Sequence, residues 1–455
     1  MAGVRADRGD DLPEAAAGGV AIDVAGRLAA ASRALVVAGG GLVAAAGGAA
    51  PGDALAEGPA MPTGPGADWS VDASLLSYSE SDERVDVRKA LATLSRETDS
   101  DSVGVELVHD TMSGASPTGA LRGANGAVTY SGTSGAAAGD PPGDASAEDD
   151  DGALAAFDDE RLQASASLAR AVGRNLELEL GGVVSRESDY DSVGGSLTAT
   201  RESADRLSGV ELGVALTTDT IERSDVGGTP EPLADAREGV AFGRGTRHTV
   251  DLSLGLSRVL NRTTLARVTL QLGRSDGYHT DPYKVISEVD AAGDVVANRY
   301  ESRPEDRLRT SLGASIVHRL ADAPHSVQLD YRFYVDDWGV VSNTLDARYR
   351  HRLTTRQYLE PHARFYLQGA ADFYAPFLES RADGSLALPA GDGHASADYR
   401  LDALSSVTLG LKYGIELAPG LDLRVRGEYL GQRFDTAEYG ALGAGIVQTS
   451  LGWTF

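Results

Sequence analysis

From Trp69 to Phe455 apolar and polar residues alternate with a period of two, in runs of roughly ten separated by turn chemistry. Segment 421–430 is the clearest case. Leu421, Leu423, Val425, Gly427 and Tyr429 fall on one face, and Asp422, Arg424, Arg426 and Glu428 on the other. Segment 327–336 repeats it, opposing Val327, Leu329, Tyr331, Phe333 and Val335 to Gln328, Asp330, Arg332, Tyr334 and Asp336. Helical periodicity is almost absent here. The pattern predicts about sixteen strands, near 70–79, 83–97, 102–111, 162–172, 175–188, 191–203, 207–223, 247–260, 263–278, 306–320, 325–337, 341–354, 357–374, 402–417, 421–434 and 438–455.

Alternation alone suits a soluble sandwich as well as a membrane barrel, and three features favour the barrel. Each predicted strand has ten or more residues, against ~5–6 in soluble sheets and ~9–11 for a tilted spanning strand. With the first strand upward, downward strands end in the short links 98–101, 173–174, 204–206, 261–262, 321–324, 355–356 and 418–420. The long connections 112–161, 224–246, 279–305 and 375–401 all fall at the other end. Outer-membrane barrels segregate their loops in this way. Finally, Phe455 closes the chain with Trp453, Leu451, Thr449 and Val447 on its face. Trp453 and Phe455 are therefore assigned as the signal read by the barrel-assembly machinery.

The predicted fold is all-β, a transmembrane antiparallel β-barrel with periplasmic termini and long extracellular loops. Hydrocarbon leaves no water to pair backbone N–H and C=O groups, and closure alone removes the sheet edges. The apolar faces then meet lipid, with Tyr331, Phe333, Phe365, Phe373, Tyr429 and Trp453 as interfacial girdles.

Composition narrows the function. The 455 residues are 42% hydrophobic and 24% charged, with 55 glycines, no cysteine and a net charge of −26. That acidity argues against nucleic acid as a partner. Without cysteine there is no disulfide framework or thiolate metal site. The run ALVVAGGGLVAAAGGAA between Arg33 and Pro51 follows Arg27 and Arg33 and precedes Ala54-Leu55-Ala56. This order predicts a secretory signal peptide over 1–56 with an extended acidic n-region, removed on export, then a linker 57–68 and the barrel 69–455. The location expected is the bacterial outer membrane, reached by Sec export.

Three stretches carry a family resemblance: SYSESDERVDV at 77–87, HDTMSGASPTGA at 109–120, and DPYKVI at 281–286 followed by ESRPEDR at 301–307. The chain resembles the bacterial domain-of-unknown-function 3570 (DUF3570) family of outer-membrane β-barrels. The resemblance implies fold and location over about 69–455 and brings no catalytic residue.

Within SGASPTG, Ser113 or Ser116 with His109 and Asp110 would be the parts of a lipid hydrolase. Adjacent strand residues face opposite sides, so His109 and Asp110 cannot form one relay, and a rim turn is the expected reading. No histidine spacing or acidic run matches a metal motif, and no cofactor is expected.

The inferred interior is more telling. In the first eight strands it is acidic, with Asp72, Asp86, Glu106, Asp110, Glu177, Glu179, Glu187, Glu211, Asp219 and Asp251, relieved by Arg88 and Arg96. From the ninth strand arginines dominate: Arg267, Arg307, Arg309, Arg332, Arg348, Arg350, Arg352, Arg364, Arg424 and Arg426. Facing halves of opposite sign suggest a water-filled lumen that orients polar solutes. Between Gly123 and Glu160 lie nine acids and no Lys or Arg, placing much of the net charge in one external loop. The expected function is a porin-like channel for small polar or charged solutes, not an enzyme. Its expected partners are outer-membrane lipid, lipopolysaccharide and the assembly machinery. The alternatives are a barrel enzyme acting on lipids, or a structural surface barrel with no open pore.

Overall fold

A computed structural model of the chain describes residues 68–455 apart from 82–83, 118, 122–153, 224–227, 237–242, 321–323 and 438–439. The leader predicted over 1–56 lies outside the described residues, as does the following linker up to residue 67. Twenty strands follow. They are β1 (Asp68–Glu80), β2 (Val85–Glu97), β3 (Asp101–Pro117), β4 (Leu154–Ala171), β5 (Leu176–Arg186), β6 (Tyr190–Glu202) and β7 (Ser208–Ile221). Next come β8 (Gly245–Asn261), β9 (Thr264–Gly277), β10 (Val285–Val289), β11 (Val295–Tyr300), β12 (Asp306–Arg319), β13 (Ser326–Asp336) and β14 (Val341–Arg352). The last are β15 (Gln357–Gln368), β16 (Leu378–Ser380), β17 (Leu386–Ala387), β18 (Leu404–Ala418), β19 (Leu421–Phe434) and β20 (Ala441–Thr454).

Sixteen of them close into one antiparallel barrel, in chain order but omitting β10, β11, β16 and β17. The seam joins β20 to β1 from Ser70↔Thr454 to Glu80↔Ala444, so no edge is left open. The period-two sequence becomes two surfaces. Outward Leu75, Leu180 and Leu212 are 66%, 57% and 57% exposed, levels that only a lipid surround covers. On β7 the outward set Val210, Leu212, Val214 and Leu216 covers about 20 Å of strand at ~3.4 Å per residue, close to the ~25 Å band of outer-membrane barrels. The wall is thus of outer-membrane type.

Turn chemistry sets the two ends apart. At the end carrying Asp68 and Phe455 the links are tight, as at Pro419-Gly420 between β18 and β19. Gly420 there has φ 77° and lies against the carbonyl of Thr454, a conformation and a space that only glycine tolerates.

The long-loop end departs from the sequence reading in four ways. The predicted loop 112–161 is shorter, because β3 and β4 stay paired out to Pro117↔Leu154. Asp158, Asp159 and Glu160 therefore belong to β4 and not to the loop. The connections 279–305 and 375–401 hold strands, forming a four-stranded sheet in the order β11-β10-β16-β17. The strand predicted over 357–374 ends at Gln368, and Phe373, expected in the lipid girdle, is 1% exposed with its ring edge-on to Trp338 at 5.1 Å. Alternation continues past the end of the wall, so periodicity alone does not mark where lipid gives way to protein.

That loop sheet forms a cap. Ile286, Leu378, Ala395 and Ala397 pack as one buried cluster, and Trp338, Val340, Ala371, Phe373 and Leu401 as another. Beside it the inward face of the wall is itself apolar: Leu76, Tyr78, Val85, Val87, Leu430, Phe434, Leu442 and Ile446 pack together. Tyr399 of the cap meets Phe434 there, edge to face at 5.2 Å. One arc of this mouth is therefore filled by side chains.

Candidate functional site

The interior of the barrel is the first candidate. Glu106, Glu177, Glu179, Glu211 and Asp251 stand on the inward register of β3, β5, β7 and β8. Arg267, Arg309, Arg332, Arg348, Arg364, Arg424 and Arg426 do so on β9, β12, β13, β14, β15 and β19. Arg350 and Arg352 share that register but are exposed at the short-turn rim. Arg307 serves the cap rather than the bore: it is 4% exposed, paired with Asp336 and set over the Trp338 ring at 4.0 Å. Asp86, Arg88 and Arg96, read from sequence as interior, are exposed on the outer face, because β2 buries the odd-numbered positions Val85, Val87 and Lys89. Arg96 lies over the outward ring of Trp69 at 5.6 Å.

The acidic and arginine arcs do not simply face each other across a gap. Arg267 donates to Glu211 at 2.7 Å and Arg309 to Asp251 at 3.2 Å, where β7 and β8 meet β9 and β12. Arg424 pairs with Asp72 across the β19–β20–β1 seam. His362 presents Nδ1 to Glu428 and Nε2 to Asp346, both at 2.8 Å, an arrangement suited to an imidazolium with two N–H donors. Each of these pairs joins a strand to its neighbour or to the next but one, so it runs along the wall and not across the bore.

Glycine makes that possible. Gly273 is in register with both Asp251 and Arg309, and a Cβ there would meet the Asp251 carboxylate and stand 3.0 Å from the Arg309 guanidinium. Gly410 is in register with both His362 and Glu428, and a Cβ there would strike the Glu428 side chain. Gly452 stands likewise beneath Asp72 and Arg424. Each of these three glycines is a saddle over which charges from the flanking strands pair while lying flat. The bore keeps a cavity of about 220 Å³, touched by strands from β2 round to β13, with Gly104, Ser165, Gly181, Ser196 and Gly213 as a wall of small residues and Arg309, Arg332 and Tyr334 at its far side.

The second candidate is the cap, whose polar centre the reading of charge patterns missed. Arg303 Nε donates to Glu301 at 2.6 Å and Nη2 to Asp398 at 2.7 Å. Arg400 Nη2 donates to Asp281 at 2.9 Å and Nε to Asp398 at 2.9 Å, and Lys284, fully buried, has its Nζ 5.7 Å from the Tyr399 ring centroid. These contacts tie the β9–β12 loop to the β15–β18 loop. Burial pulls the Lys284 pKa down and pushes that of Glu301 up. Burial also opposes ionisation of Asp398, yet Arg400, Lys284 and Arg303 hold its carboxyl well below the usual range. Burial and the nearby Arg247 lower His279 to about 4, so its ring is neutral. Its Nδ1 donates to the Gly277 carbonyl at 2.8 Å, leaving Nε2 to accept from Ser275 at 2.7 Å. A signal did exist in the sequence. Asp281, Lys284, Glu301 and Arg303 all lie within the DPYKVI and ESRPEDR stretches.

Among the described side chains the serine constellation does not assemble, and the side chain of Ser116 lies outside them. Asp110 points inward, held by Arg161 Nε at 2.7 Å, while His109 points outward to Glu160 at 2.7 Å. Ser113 shares the face of His109 but stands four residues along β3, roughly 13 Å at strand rise. Trp453 and Phe455 are outward and exposed at the short-turn end, with ring centroids 4.4 Å apart.

Comparison with solved structures returns outer-membrane barrels. The siderophore receptor PirA from Acinetobacter baumannii is 11% identical, covering 86% of this chain and 60% of its own, at TM-score 0.40. A ferric enterobactin receptor (PfeA) mutant from Pseudomonas aeruginosa is 13% identical, covering 83% and 56%, at TM-score 0.39. The outer membrane protein opdK from the same organism is 9% identical, covering 86% and 99%, at TM-score 0.37. The chain thus spans little more than half the length of the two receptors. No curated protein matches it. A family model does, over residues 27–450: the chain belongs to DUF3570, described as a protein of unknown function.

Proposed function

We propose that the barrel is a porin-like channel for small polar or charged solutes, set in an outer membrane with its long loops outside. The observation that carries this reading is the bore itself. Its ion pairs lie along the wall over glycine saddles, and beside them runs a cavity whose wall sets Glu106, Glu211, Asp251, Arg309 and Arg332 among serines, glycines and aliphatic groups. The carboxylates and guanidiniums in that wall supply partners for a small polar or charged solute. The cap narrows one mouth, since Tyr283 donates to Asp189 on the β5–β6 side and Tyr399 packs on Phe434 on the β19 side. On this reading the apolar band meets outer-membrane lipid, the long loops meet lipopolysaccharide, and the terminal Trp453 and Phe455 serve recognition during assembly. No hydrolytic step is assigned, because His109 and Ser113 stand too far apart on β3 for a relay.

Planar-bilayer recording of the purified full-length protein tests the proposal. Discrete conductance steps are expected, with a reversal potential in a salt gradient. Silent bilayers from protein that shows normal heat-modifiable folding would overturn it in favour of a structural barrel.

A further inference from the structure

We infer that the short-turn end of the barrel carries a collar that binds the phosphate headgroups of anionic glycerophospholipids. The inference rests on the barrel crossing a membrane and is independent of whether its bore conducts. Four of the short turns repeat one arrangement, an exposed aliphatic side chain beside an exposed arginine. They are Val172 with Arg174, Leu207 with Arg206, Leu260 with Arg262, and Leu353 with Arg356. The aliphatic members are 48%, 47%, 55% and 46% exposed. Val172, Leu260 and Leu353 continue the outward register of β4, β8 and β14 and so extend the lipid-facing surface to its last position.

Charge selects the partner. The chain as a whole carries −26, yet the four turns 172–175, 203–207, 262–263 and 353–356 hold four arginines and one acid, Asp205. Among the described residues Arg174, Arg262 and Arg356 form no ion pair, and Arg206 reaches Glu202 only at 3.8 Å. A guanidinium at the edge of an apolar band, next to a side chain that enters the acyl region, has the geometry that pairs with a lipid phosphate. The turns β4–β5, β6–β7 and β8–β9 are consecutive, roughly 10 Å apart at two strand widths. Successive headgroups can therefore be bridged. On the β20–β1–β2 side of the same rim Trp69, Trp453 and Phe455 supply an aromatic belt, with Arg96 set over the Trp69 ring.

The experiment delipidates the purified full-length protein and incubates it with mixed vesicles of phosphatidylglycerol and phosphatidylcholine. Native mass spectrometry then counts the lipids retained. Wild type is expected to retain phosphatidylglycerol over phosphatidylcholine by about fivefold or more. The combined substitution Arg174→Gln, Arg206→Gln, Arg262→Gln and Arg356→Gln is expected to abolish the preference, and the matching lysine set to restore most of it. Heat-modifiable mobility on gels checks that each variant folds. Should the glutamine set fail to fold, the partial set Arg174→Gln with Arg262→Gln is read instead, and about half the preference is expected to go. Equal retention of both lipids by wild type, or an unchanged preference in a folded glutamine variant, would overturn the inference. So would full displacement of bound lipid by millimolar inorganic phosphate, which would make this a site for free anions. Cosedimentation with peptidoglycan and no lipid preference would assign the collar to the cell wall instead. Unchanged conductance in the variants keeps the result separate from the channel reading.

Discussion

Asp251 on β8 and Arg309 on β12 meet at 3.2 Å above Gly273, the residue of the intervening strand that is in register with both. The two partners lie 58 residues apart in sequence, and the pair exists only because β9 offers no side chain between them. Gly273→Val fills that saddle. It is expected to separate the pair, push both side chains into the bore and reduce single-channel conductance at least about twofold. Overpacking of this kind costs ~1–3 kcal/mol, which leaves the barrel able to fold. Bilayer recording beside a heat-modifiability gel separates the two effects.

Arg332 lines the cavity and makes no ion pair among the described residues. On the channel reading proposed above, its charge would act on solutes directly. Arg332→Glu is expected to move the reversal potential in a salt gradient toward cation selectivity, changing the permeability ratio by about twofold or more. An unmoved reversal potential in a conducting variant would place the solute path away from β13.

The cap is held by buried charges, and removing one partner strands the other. Arg303→Met leaves Glu301 and Asp398 without their shared guanidinium. A loss of ~3–5 kcal/mol is expected in the local stability of the cap. Hydrogen exchange should accelerate over 281–303 and 395–402 while the wall strands stay protected. Uniform acceleration through the wall would show that cap and barrel unfold as one unit.

His279 gives the cap a pH dependence of known sign. Its pKa falls from 6.5 to about 4 through burial and the nearby Arg247, Arg307 and Arg303. Between those values the unfolded form binds more protons, so cap stability rises with pH across the window. It is fully present above pH 6.5 and is lost as pH falls toward 4. The Trp338 ring stands edge-on to His279 at 5.5 Å and reports the change in its fluorescence. His279→Gln is expected to flatten that titration; an identical curve in the variant would assign it to another group.

Much of this architecture is legible in the sequence, for a definite reason. Lipid on one side and polar groups on the other impose a strict period of two on every wall strand, and the loop lengths sort the two ends. Sequence reasoning places sixteen strands within a few residues over most of the chain. It slips where the period persists without lipid. Phe373 alternates correctly yet is buried in the cap. On β2 the charged residues Asp86, Arg88 and Arg96 face outward, against the rule that charge marks the interior. Ser113 and His109 look near in sequence, but a strand separates them by its rise.

The alternating sequence by itself determined the barrel, its orientation of faces and its asymmetric loops, because membrane solvation acts on each residue locally. Only the tertiary structure decided which charges meet. Register sets Gly273 between Asp251 and Arg309, and loop packing brings Arg303 to Asp398 across 95 residues. Pairing energies depend on distances between strands that no local pattern encodes. The polarity of the wall is therefore a property of the sequence, and its electrostatics a property of the fold.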